Sequence, residues 1–166
     1  MIIFVKNLSV LDHSVFVKQF RDQGFLSIKE GNGKVVTLLQ ASHWKPEMGT
    51  DWVYLLFDLF QIRSVSEQFS EISLDIVEFA SKPTIYTSPA NILIPEGLPV
   101  EGKIRFSLIR EPDWNKLLFQ ISQPVLVKLE SDRPAEVETK KLFPLFSPSL
   151  KELYLGPEGD VKIIKG

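Results

Sequence analysis

Apolar and polar positions along this chain follow two periods that interleave from end to end. Residues 2–5 form a short apolar run of strand type. Phe16, Val17 and Phe20 then recur at helical spacing, with Ser14 placed to cap the helix and Gly24 to stop it. Residues 25–29 and 34–39 read as strands joined by Gly31-Asn32-Gly33, a hairpin signal. The unbroken apolar run 52–57 has the length and content of a strand buried on both faces, which predicts a place at the centre of a sheet.

Beyond that run the period lengthens. Leu59, Ile62, Val65 and Phe69 predict a helix, and Ile72, Ile76 and Phe79 predict another after Ser70. Pro83 ends the helical pattern and a strand starts at Thr84. Residues 88–102, rich in proline and glycine, read as a loop. The segment 103–109 alternates, with Ile104, Phe106 and Leu108 on one face and Lys103, Arg105 and Ser107 on the other. Pro112 suits the first turn of a helix whose stripe is Trp114, Leu117, Leu118 and Ile121. Strand 125–130, a polar proline-spaced loop 131–148, and a closing hairpin of 152–155 with 161–165 complete the chain. Strands and helices alternate without repeat or linker, so the expectation is one mixed α/β domain over 1–166.

Composition narrows the chemistry more than the fold. Hydrophobic residues make up 44% and charged residues 24%, ordinary globular usage, and the net charge is −2 from 19 basic and 21 acidic side chains. No global basic excess advertises nucleic acid, although a local basic face is compatible with that balance. The chain has no cysteine, which removes disulfides, thiolate metal sites and cysteine nucleophiles. Two histidines, His13 and His43, are too few for a multi-histidine metal centre. The apolar start reaches Lys6 after five residues and Asp58 interrupts the other long apolar stretch, so no signal peptide or membrane span is expected. Cytoplasmic localisation is the corresponding expectation.

The order of the elements from 52 to 130 resembles the second half of a YrdC domain. An apolar strand ending at Asp58 precedes two helices and Lys82-Pro83-Thr84-Ile85. Gly102-Lys103-Ile104-Arg105-Phe106 follows, then an amphipathic helix and Gln123-Pro124-Val125-Leu126. The tail 152–165 resembles the family's closing hairpin. The resemblance implies a twisted open mixed sheet with flanking helices and a concave face. It also implies the family's activity, synthesis of threonylcarbamoyl-AMP from ATP, threonine and bicarbonate for adenosine modification in tRNA. ATP or AMP would be the bound nucleotide, and tRNA or another RNA a partner.

The N-terminal part is shortened and departs from the family pattern. Where the family has Tyr-Pro-Thr-Asp-Thr, this chain has Ser27-Ile28-Lys29-Glu30-Gly31, and the helix expected next is missing. His43 and Lys45 stand where the family has the lysine and arginine of Lys-x-Arg-Pro-Glu. The Ser-Thr-Ser-Ala-Asn phosphate motif is replaced by Val127-Lys128-Leu129-Glu130-Ser131. Hydrogen bonds to a charged group contribute about 1.5–3 kcal/mol each, so two lost hydroxyls remove about 3–6 kcal/mol, or about two to four decades of affinity.

Candidate binding residues for a nucleotide or RNA are therefore Arg105, Lys45, His43, Lys82, Thr84, Ser107 and Lys128. Val127, Leu129 and Ser131 mark the degenerate former phosphate site, and a shallow cavity lined by Val127 and Leu129 with Arg105 at its rim is expected. Each feature also has a plainer structural reading. The Arg105 face can be solvated sheet, His43 and Lys45 a surface loop, and Lys-Pro-Thr a strand start. Gly31-Asn32-Gly33-Lys34 lacks the spacing of a phosphate loop and reads as a turn. The segment 140–146, with two lysines and two phenylalanines, reads as a flap folded back on the core, or else as a docking segment. Asp12, His13 and Ser14 read as a helix cap. Three functions remain open: a non-catalytic module binding nucleotide, RNA or protein, an altered but active synthase, and a structural domain with a filled cavity. The sequence leaves the oligomeric state open.

Overall fold

The computed structural model describes residues 3–5, 13–67 and 69–165. Ten strands among them form one mixed sheet. In chain order these are β1 (Ile3–Val5), β2 (Phe25–Lys29), β3 (Val35–Gln40), β4 (Val53–Leu56), β5 (Thr84–Pro89), β6 (Lys103–Leu108), β7 (Val125–Lys128), β8 (Val137–Thr139), β9 (Lys151–Leu155) and β10 (Val161–Lys165). Their spatial order is β1-β8-β2-β3-β7-β4-β6-β5-β9-β10. Parallel pairs (β4 with β6, β5 with β9, β8 with β1 and β2) are mixed with antiparallel ones. The run 52–57 supplies β4, flanked on both sides in mid-sheet as its continuous apolar content predicts.

Helices α1 (His13–Gln23) and α4 (Pro112–Ile121) cover one face. Phe16, Phe20, Trp114, Leu117 and Ile121 meet Leu26, Leu38, Val53, Val125 and Val127 there. The opposite face carries α2 (Ile62–Val65), α3 (Glu71–Phe79) and the loop residues Trp44, Ile94 and Leu98 against Tyr54, Phe106, Leu126 and Tyr86. Local chemistry sets the boundaries. The Ser70 hydroxyl caps α3 by accepting from the Ser73 amide at 3.1 Å. Glu111 accepts from the Trp114 amide at 2.9 Å ahead of Pro112 in the first turn of α4. Gly24, at φ +79°, ends α1, and the His43 imidazole fills the space a Cβ would take. Asp12 lies outside the described residues, as do the side chains of His13 and Ser14 expected at the helix cap.

Several expectations shift. The loop 131–148 contains β8, because Val137 to Thr139 fill the gap between β1 and β2. The loop 88–102 gives its first two residues to β5. The helix after residue 59 amounts to a 3-10 turn and one α turn, started by a capping box on Asp58 and Gln61. Strand 125–130 stops at Lys128, and the chain turns at Glu130 with φ 53°.

The segment 140–146 folds onto the core. Phe143 is fully buried and stands edge-on to Trp114 at 5.0 Å, while the Trp114 indole donates to the Leu142 carbonyl at 3.0 Å. Glu30, 2% exposed, fixes the flap from the far side. One of its carboxylate oxygens accepts from the Phe143 amide at 2.8 Å and the other from the Asn32 amide at 2.9 Å. Lys141 bridges Glu111 and Asp113 at 2.8 and 2.9 Å, and these bonds, that to Glu111 first, push its ammonium up from the usual lysine range. Glu30→Ala strands a buried amide and releases the flap. The expected loss is about 2–3 kcal/mol in urea denaturation, with faster amide exchange at Phe143. An unchanged midpoint and unchanged exchange would remove Glu30 from this role.

Candidate nucleic-acid interface

The starting ends of β4 and β6 and the finishing ends of β5, β7 and β9 meet along one border of the sheet. A cleft of about 430 Å3 opens there, lined in part by Asp51, Trp52, Thr87, Leu98, Lys103 and Arg105. Register explains the convergence. Arg105 pairs with Thr87, and Thr87 pairs with Tyr154, which in turn pairs with Lys162. Directly opposed residues point to the same face, so these four side chains form one row across β6, β5, β9 and β10.

Arg105 donates to the Asp51 carboxylate at 2.9 Å, which fixes the guanidinium and neutralises it. Lys103 and Lys162 are held differently. Their ammonium groups both lie over the Tyr154 ring, 5.0 and 5.7 Å from its centroid, and neither forms an ion pair among the described residues. Lys128 reaches the same border from the opposite face, 5.9 Å over the Trp52 ring. The border thus presents cations ordered by aromatic rings, two of them sharing one ring with no carboxylate between them. That arrangement suits an anion flanked by a planar group.

Other sequence candidates go elsewhere. Lys82, Thr84 and Ser107 line a separate cleft of about 270 Å3 at the opposite border, with Tyr86, Arg110 and Glu111. Its hydroxyls are spent on backbone: Thr84 donates to the Lys82 carbonyl at 2.9 Å and Ser107 to the Thr84 carbonyl at 2.7 Å. Arg110 donates to the Val77 and Glu78 carbonyls, capping the end of α3. Burial pushes the Tyr86 phenol up from its usual range, and the Tyr54 phenol up to about 12. His43 packs beside Gly24, and Lys45 is exposed ahead of a 3-10 turn, so the two are separated by the buried Trp44.

The cavity expected over Val127 and Leu129 is absent. Val127 faces the same side as Arg105, since it pairs with Val53, the neighbour of the Tyr54 that pairs with Phe106. It is nevertheless 0% exposed, roofed by α1 and α4, and Leu129 packs against the same cluster from the turn beyond the strand. Ser131 joins a hydroxyl chain instead: Thr37 donates to Ser131 at 2.6 Å and shares a 2.9 Å bond with Ser27. Tyr154 and Lys162 were not singled out from sequence. Tyr154 alternates with Leu153 and Leu155, but Lys162 shares a face with Ile164, so the closing hairpin carries no clean pattern that marks them.

No family model matches the chain, and no curated protein matches it in sequence. Among solved structures, Sua5 of P. abyssi complexed with L-threonine superposes with a TM-score of 0.70 at 10% identity, over 93% of this chain and 54% of that one. YciO of E. coli gives 0.71 at 12% identity over 99% and 93%. Full-length HypF in its phosphate- and nucleotide-bound form gives 0.61 at 13% identity over 93% and 29%. The chain therefore belongs to the class of mixed α/β proteins built on one twisted sheet with helices on both faces. Within that class it has the YrdC-like fold. It spans about half the length of the Sua5 chain it matches.

Val127→Ser places a hydroxyl under α1 and α4 with no partner, and is expected to cost about 2–4 kcal/mol. Leu129→Ser, at a partly covered position, costs about half as much or less. Denaturation midpoints of the two single variants check the order, and a neutral Val127→Ser would contradict the packing described.

Proposed function

We propose that the chain is a YrdC-like RNA-binding module that does not make threonylcarbamoyl-AMP. The observation that carries this reading is the pair of unneutralised ammonium groups, Lys103 and Lys162, over the single ring of Tyr154. An RNA phosphate seated between the two lysines can be held by both, and an unstacked base beside it can use Tyr154 or the apolar wall of the cleft. Lys128 extends the track along the border, beside the Arg105–Asp51 ion pair. Full-length HypF, of which this chain covers 29%, is phosphate- and nucleotide-bound, which is in keeping with an anionic ligand. Absence of synthase activity is supported by Val127, whose burial leaves the position of a phosphate-binding serine inside the core.

Fluorescence anisotropy with a labelled RNA hairpin carrying an open loop tests the binding. Affinity is expected to fall as salt rises, and Lys103→Ala with Lys162→Ala to lower the log–log slope by about 0.7, the share of the one phosphate the two lysines hold. Absence of binding at low salt, or a double variant with unchanged affinity and slope, would defeat the proposal. A parallel assay with ATP, threonine and bicarbonate is expected to yield no threonylcarbamoyl-AMP above background. Product that vanishes in Arg105→Ala would establish the altered synthase instead.

A further inference from the structure

Away from the cationic border, on the α2 and α3 face, the described surface carries its most exposed apolar side chains beside a recess. The recess, about 430 Å3, has Leu59, Ile62, Phe69 and Leu74 in its walls. Phe60 stands on its rim at 75% exposure. A shallower depression lined by Glu67, Ala90, Asn91 and Ile92 adjoins it, sharing Glu67 and Asn91, and Ile92 is 96% exposed. These side chains are not on a loose tip. The Asn91 amide donates to the Arg63 carbonyl at 2.7 Å and to the Ser66 carbonyl at 3.2 Å, and its oxygen accepts from the Leu93 amide at 2.9 Å. Ser66 bridges to Ala90, and the Glu67 amide donates to the Pro89 carbonyl at 2.8 Å. A prominent isoleucine is therefore held rigidly next to an open apolar groove.

Charge decides what fits there. Arg63 and Glu67 both line the recess, both are exposed, and neither forms an ion pair among the described residues. We propose that this face is a two-fold interface between two copies of the chain. A two-fold contact requires one patch to carry both halves of its own complement, knob with hole and cation with anion. Ile92 and Phe60 are the knobs and the recess beside them is the hole. Rotation about the axis brings Arg63 of one copy toward Glu67 of the other. Arg63 and Glu67, four residues apart on one patch, meet that requirement for a second copy.

Sedimentation velocity of the full chain across micromolar concentrations tests this. The unsubstituted chain is expected to show a monomer–dimer equilibrium, and Ile92→Glu to leave monomer only. Arg63→Glu and Glu67→Arg should each weaken the dimer about tenfold or more, because each sets like charges against one another. The double reversal restores opposite pairing and should recover most of the affinity, an outcome that general damage to the fold cannot produce. All three positions are exposed, and an unchanged thermal midpoint confirms that folding is retained. A chain that stays monomeric at every concentration overturns the proposal. So does a dimer that ignores Ile92→Glu but dissolves with Ile163→Glu, since that places the contact on the open edge of β10.

Discussion

Strand β7 joins the two halves of this molecule. On one side it pairs with β3, which continues to β2, β8 and β1, and on the other with β4, which continues to β6, β5, β9 and β10. Every hydrogen-bonded connection across the sheet passes through Val125 to Lys128. Both faces of that strand are covered, Val125 and Val127 by α1 and α4, and Leu126 by the opposite layer. A strand in that position has to be apolar on both sides, because an unpartnered hydroxyl under the helices costs free energy and gains nothing. Valine at position 127 meets that packing requirement, and its full burial leaves no open surface at this point of the sheet.

After Lys128 the chain turns at Glu130, whose carboxylate pairs with Lys34 at 2.6 Å, and runs back over Ser27 and Thr37. Arg133 stacks on Phe25 at 3.9 Å, and Glu136 accepts from the Ser27 amide at 3.2 Å. This return loop closes the face beside β2 and β3, and two 3-10 turns follow β3. The border of the sheet formed by β4, β6, β5 and β9 has no such cover. Exposed cations persist there because aromatic rings, not carboxylates, hold most of them.

The sequence was legible wherever a segment's own pattern sets its structure. Residues 52–57 could only be a doubly buried strand, and the stripe Trp114, Leu117, Leu118, Ile121 could only be a helix face. Glu30 also shows where legibility ends, since its partner amide lies at Phe143 and no local pattern announces so distant a bond. Val137 to Thr139 read as loop for a similar reason: three residues become a strand only because β1 and β2 leave a slot for them. For the site, Arg105 was visible on an alternating strand, but its row is completed by Tyr154 and Lys162 from the far hairpin, which only pairing reveals. Lys82, Thr84 and Ser107 carried the right chemistry in the right order, yet parallel and antiparallel pairing sends them to the other end of the same strands.

One segment ties the cationic border to the apolar face. The loop between β5 and β6 begins at Ala90, whose amide donates to the Gly102 carbonyl at 2.8 Å, and closes with the paired bonds of Val100 and Lys103 at 3.0 Å. Its first residues present Ile92 outward beside the recess, its middle buries Ile94 and Leu98, and its end supplies Val100 and Glu101 to the cleft that holds Arg105. Leu98 therefore packs in the core while forming a wall of the cleft, and Ile94 packs in the same cluster two residues from Ile92. A side chain that moves on one surface of this loop has to be accommodated by the same buried anchors that shape the other. Ile92 and Lys103 thus stand at the two ends of one loop, and the buried Ile94 and Leu98 between them anchor it to the core.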